Sequence, residues 1–121
     1  MKRTKTDRRE YSRFEILEYA LMQREDDPEP QTCVVVDVSL GGLQVRTRSI
    51  FVAGEVATIT IGRGGVRPVA SRVEVRYVYQ TEESDLYSVG LRFLPGEAKE
   101  RMAMVDFIHD VFRQQGDRLF L

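Results

Sequence analysis

The 121-residue chain holds one cysteine, Cys33, and one histidine, His109. A single cysteine excludes an intramolecular disulfide and a thiolate metal cluster. Its place in a valine-rich run predicts a small buried hydrophobe. His109 falls in a helical pattern far in sequence from any candidate nucleophile, so it reads as a surface or boundary residue rather than a catalyst. With no nucleophile–base pair and no metal-ligating constellation elsewhere, no enzyme and no cofactor are expected. An excess of charge is missing too. Eighteen basic against 19 acidic residues leave a net charge of −1, whereas a general nucleic-acid binder shows a strong basic excess. No run approaches the roughly 18 consecutive apolar residues of a membrane span, and no charged start leads into an apolar run. A cytoplasmic protein without membrane insertion is expected.

What is present is the composition of an ordinary globular protein, 42% hydrophobic and 31% charged. The length predicts one domain over residues 1–121. Its charge is unevenly placed. Lys2, Arg3, Lys5, Arg8, Arg9 and Arg13 crowd the start, and residues 1–12 are expected to form a flexible basic segment. Glu25, Asp26, Asp27 and Glu29 form an acidic loop.

Strand patterns fill residues 13–94. Residues 14–22 are rich in aromatic and aliphatic side chains and end at a proline-containing loop. Residues 32–38 carry four valines and Cys33, a β-branched density that favours a buried strand. In residues 43–47, Leu43, Val45 and Thr47 alternate with Gln44 and Arg46, which places the first set inward. Residues 56–61 read as a fourth strand, closed by a turn at Gly62, Gly64 and Gly65. In residues 67–80, Val73, Val75, Tyr77 and Tyr79 share one face and Glu74 and Arg76 the other. Residues 86–94 read as the sixth strand. Six strands with short connections predict a six-stranded antiparallel β-barrel, because closure removes exposed edges.

After Pro95-Gly96 the period changes. Ala98, Met102, Val105, Ile108 and Phe112 recur at helical steps, predicting a C-terminal α-helix over residues 97–115 with Gly116 placed to end it. The stripe is expected to pack on the barrel, and the alternative is that part of it serves a partner. Leu119 to Leu121 form an apolar tail that can extend either contact.

Two short motifs carry the chemistry: Arg9 and Arg13 with Arg8 in front, spaced RxxxR, and Asp37-Val38-Ser39-Leu40-Gly41-Gly42, spaced DxSxxG. A guanidinium donates two parallel hydrogen bonds to a phosphate and matches the O6 and N7 acceptors of guanine. An ionised aspartate only accepts, so Asp37 suits guanine's adjacent N1–H and N2–H₂ donors. Ser39 can add a hydroxyl contact, and Gly41 and Gly42 permit a tight turn with close backbone approach. Together they describe a site for a guanine nucleotide carrying phosphate charge. Read singly, the aspartate and serine are also an Asx-type turn closing a hairpin, and the arginines a solvated tail.

The joint occurrence of the two motifs, in this order and ahead of several strands, resembles the PilZ domain family of bacterial cyclic di-GMP receptors. The run Tyr87-Ser88-Val89-Gly90-Leu91-Arg92-Phe93 is similar to the G-x-x-F strand near the family's end. The resemblance implies cyclic di-GMP as ligand, with Arg9, Arg13, Asp37, Ser39 and Gly42 matching the family's motif, Arg8 in front of it, and RxxxR wrapping over the ligand; Gly41 joins them as a candidate contact through its backbone. Because Arg8 directly precedes RxxxR, it also implies two stacked ligands per chain. Tyr77 is a further candidate to flank a base, with core packing as its other reading. With no output domain in the chain, the signal is expected to leave through contact with an unidentified protein effector, and a monomer is expected. Two rival readings stand beside this one: a small barrel stacking single-stranded nucleic acid on Tyr77, Tyr79 and Tyr87, and a protein-interaction barrel whose nucleotide site is vestigial.

Overall fold

In a computed structural model of the chain, the described residues are 14–62, 68–82, 84–96 and 98–120. Six strands run in chain order: β1 (Phe14–Arg24), β2 (Gln31–Val38), β3 (Gly42–Thr47), β4 (Val56–Ile61), β5 (Val69–Gln80) and β6 (Tyr87–Phe93). A single helix follows, α1 (Ala98–Phe120). The strands close into an antiparallel barrel in the order β1-β2-β3-β6-β5-β4, with β4 returning to β1. Every strand therefore has two neighbours, as the sequence pattern requires of a sheet without free edges.

The interior is filled from each strand's apolar set, including Met22, Val35, Leu43, Val45, Ile59, Val73 and Val89, all fully buried. Leu43, Val45 and Thr47 point inward and Arg46 outward, as the alternation predicts. Cys33 joins the same core, where burial pushes its thiol pKa from 9.0 up to about 12. Most of the expected glycine turn after β4 lies outside the described residues, since 63–67 are not among them.

Strict alternation fails in β5. Val73 and Val75 are buried, but Tyr77 and Tyr79 are 41% and 53% exposed, while Val78 packs against the core. The cause is a β-bulge. Val75 pairs with Leu91 and Tyr77 with Gly90, so Arg76 is the extra residue and the inward set changes parity beyond it. The expectation that Tyr77 and Tyr79 share the face of Val73 and Val75 is corrected accordingly.

The helix also departs from its predicted face and end. Met104, Phe107 and Ile108 are the buried set, at i, i+3 and i+4, whereas Met102 is 64% exposed and Val105 38%. Of the predicted stripe, Ala98 and Met102 are exposed and Ile108 is buried. Apolar residues surround this helix on more than one side, and contact with the barrel selects the side that carries Phe107. Gly116 does not terminate it, because the helix runs to Phe120. A single glycine costs about 1 kcal/mol in a helix interior relative to alanine, too little to stop a helix without a following proline.

Candidate functional site

Asp37 owes its direction to a second bulge. Val35 pairs with Val45 and Asp37 with Gln44, so Val36 is the extra residue in β2. Val35 and Val38 are both fully buried although three positions apart, and Asp37 between them points outward. A regular strand would have given Asp37 the inward parity of Val35. The bulge instead holds a carboxylate on the barrel's outer surface next to the hairpin turn.

The pairings extend this point into a row across four strands. Asp37 in β2 is opposite Gln44 in β3, Gln44 opposite Gly90 in β6, and Gly90 opposite Tyr77 in β5. Directly paired residues share a face with their Cβ atoms about 5 Å apart. Gln44 is fixed by its neighbours: its Nε2 donates to Ser88 Oγ at 2.5 Å and to Tyr79 OH at 3.5 Å, and its Oε1 accepts from Tyr77 OH at 3.4 Å. The rings of Tyr77 and Tyr79 stack with centroids 5.9 Å apart and planes 15° from parallel. The bulge in β5 thus delivers two aromatic rings to the surface that the bulge in β2 supplies with a carboxylate. Gln44, Gly90 and Ser88 were not singled out from sequence for this surface. An outward polar residue was legible at Gln44, but its opposition to Asp37 depends on a register that the bulge shifts.

The rest of the DxSxxG motif builds the turn. Ser39 is 3% exposed; its N–H donates to Gly42 O at 2.8 Å, and its hydroxyl donates to the same oxygen and accepts from Gly41 N–H, both at 3.3 Å. Gly41 O in turn accepts from Phe93 N–H at 3.1 Å. Gly42 is required by its neighbour strand, because a Cβ there would overlap the Leu91 carbonyl. The serine hydroxyl and the glycine backbone therefore hold Asp37 in place, and Leu40 is left exposed at the tip of the turn. Arg8, Arg9 and Arg13 lie outside the described residues. The chain enters the barrel beside Asp37, since Phe14 pairs with Val38 and Glu15 with Asp37. Among the described residues no cluster of histidine, cysteine, aspartate or glutamate suits a metal ion. His109 is exposed on the helix. No described helix is long and apolar enough to cross a membrane.

A family model for the PilZ domain matches residues 7–110, a span that contains both motifs. The chain belongs to the PilZ domain family. Solved PilZ structures share its fold. The PilZ domain of Escherichia coli YcgR with c-di-GMP superposes with a TM-score of 0.74 at 15% identity, covering 93% of this chain and 98% of that one. The K. pneumonia MrkH–c-di-GMP complex gives 0.73 at 14% identity, over 93% of this chain and 56% of that one. The Bacillus subtilis inhibitor of motility MotI/DgrA gives 0.70 at 20% identity, over 92% of this chain and 53% of that one. The chain thus spans about half the length of MrkH and MotI/DgrA but nearly all of the YcgR domain. No curated protein matches it.

Proposed function

We propose that this PilZ chain is a cyclic di-GMP receptor that changes conformation on binding the dinucleotide and relays the signal to a protein partner. The observation that carries the reading is the outward aim of Asp37 at the level where β1 begins, one residue after Arg13. Sequence connectivity leaves the RxxxR arginines one short segment from a carboxylate suited to guanine's N1–H and N2–H₂ edge. Tyr77 on the same row, with Tyr79 stacked beside it, offers π-faces for a base. The solved YcgR and MrkH structures that hold c-di-GMP have the same fold. Within this site Asp37 reads guanine, Arg8, Arg9 and Arg13 neutralise phosphate and stack on bases, and Ser39, Gly41 and Gly42 hold the turn. Ordering of residues 1–12 over the ligand is the conformational response, and a protein effector is its recipient.

Calorimetric titration tests this. Cyclic di-GMP should bind, with GMP, GTP and cyclic AMP much weaker, because only two linked guanines and two phosphates engage all the arginines and Asp37. Arg9→Ala and Arg13→Ala should each remove a charge-assisted contact worth about 1.5–3 kcal/mol, hence about tenfold to a hundredfold in affinity. Flat titrations of the folded wild-type protein at micromolar concentration would leave the vestigial-site reading in its place.

A further inference from the structure

Beside the site, an open groove of about 340 Å³ runs between α1 and the strand end that precedes it. Its apolar lining is Leu40 from the DxSxxG turn, Phe93 and Leu94 from the end of β6, and Met104, Val105 and Ile108 from the helix. Leu40 is 42% exposed. Among the described residues only two charged side chains line it, Arg92 and Arg101, and no carboxylate does. Arg92 is committed to Glu74, donating through Nε at 3.2 Å and Nη2 at 2.9 Å. Arg101 has no ion-pair partner among the described residues, which leaves its cation facing the groove. A guanidinium beside a strip of exposed Leu and Val side chains suits an occupant that brings a carboxylate and bulky apolar groups together.

We propose that this groove docks an acidic segment of a partner protein, in which Asp or Glu side chains flank one or two large apolar residues. The segment's apolar side chains sit on the exposed Leu40 and Val105, over a floor of the buried Met104 and Ile108, and its carboxylate meets Arg101. The chain's own N-terminal segment is the wrong occupant: with Lys2, Arg3, Lys5, Arg8 and Arg9 it is basic and is repelled by Arg101. The acidic loop of a second copy has the right charge, but between Glu25 and Glu29 its only apolar residue is Pro28. This docking face deepens the proposed relay to a protein. It needs no bound nucleotide, so the test below and the nucleotide titration succeed or fail separately.

The probe is a random dodecapeptide display library selected on the full-length immobilised protein, with one synthetic enriched peptide then measured by fluorescence anisotropy. Enriched sequences should pair acidic residues with Leu, Ile, Phe or Met. Arg101→Glu and Val105→Asp should each weaken the synthetic peptide at least tenfold. Met102→Asp, on the same helix but outside the groove, should leave it unchanged. Replacing the peptide's Glu residues by Lys should restore binding to Arg101→Glu and abolish it for wild type, a reciprocity that a merely unfolded variant cannot give. No enrichment, enrichment of basic peptides, or equal binding by wild type, Arg101→Glu and Val105→Asp would overturn the proposal. So would a dimer in sedimentation velocity that Val105→Asp disperses, since the occupant would then be a second copy.

Discussion

The ring of Tyr77 lies over the backbone of Gly90, in the space that any side chain at position 90 would fill. The two residues are cross-strand partners, and the glycine lets the ring lie flat on β6 while its hydroxyl reaches Gln44. A Cβ at 90 would overlap the ring, but the ring is the far end of a half-exposed side chain and can swing away at the expense of its contacts with Tyr79 and Gln44. Gly90→Ala should therefore cost only about 1 kcal/mol, the low end of overpacking. In a Tyr77→Ala background the same change should cost nothing, a coupling that urea denaturation of the four proteins of the double-mutant cycle measures.

Gly42 presents the opposite case. What a Cβ would strike there is the Leu91 carbonyl, and a backbone group in a paired strand cannot turn aside. Gly42→Ala should cost about 3 kcal/mol, the upper end of the overpacking range. The melting temperature should fall by well over the shift expected for Gly90→Ala. Because β3 and β6 would have to part, the loss should appear even where no nucleotide is present.

These two glycines mark how far the sequence was legible. The strands themselves were readable, because valine density in β2 and alternation in β3 are local signals. So was the DxSxxG motif as a unit. The work each motif residue does was not, since the need for glycine at 42 comes from Leu91, far along the chain in β6. The bulges were hidden for a related reason. Around Val36, apolar residues flank Asp37 on both sides, so an extra residue leaves no break in the pattern. Around Arg76, tyrosines at 77 and 79 continue an apparent period of two after the true inward set has moved to Val78. The helix face failed because several apolar stripes compete on α1, and only the barrel's shape chooses among them.

Cys33 gives a prediction for alkaline pH. Its thiol is buried among apolar side chains, and desolvation raises the pKa from 9.0 to about 12. Below the lower value both folded and unfolded chains keep the proton, so the stability contribution is fully present. Between the two values the unfolded chain loses the proton and the folded chain holds it. Stability should then fall with rising pH, by up to about 1.4 kcal/mol per pH unit from this group. Tyrosines and lysines titrate in the same window, so the measurement is the difference between wild type and Cys33→Ala. That difference should be flat below pH 9.0 and decline toward about 12. Alkylation by iodoacetamide at neutral pH should be slow in the folded protein and fast in denaturant.

In the proposed site, Arg8 should decide the stoichiometry. Two stacked cyclic di-GMP molecules bring four phosphate charges together, and at neutral pH their repulsion is offset only by cations placed close by. Arg9 and Arg13 supply two guanidiniums and Arg8, directly before them, a third that can pair with phosphate or stack on an exposed guanine face. Calorimetry of the wild-type protein should give two ligands per chain, and Arg8→Ala should lower the ratio toward one or weaken the binding of both. Arg8→Lys should recover less than full binding, because an ammonium keeps the charge but has neither the planar fork nor the face for stacking. Raising the salt concentration should move wild type in the same direction as Arg8→Ala, since screening weakens the cation–phosphate attraction on which the second ligand depends. A ratio of one for wild type and Arg8→Ala alike would remove the second ligand while leaving Arg9, Arg13 and Asp37 as a single-ligand site.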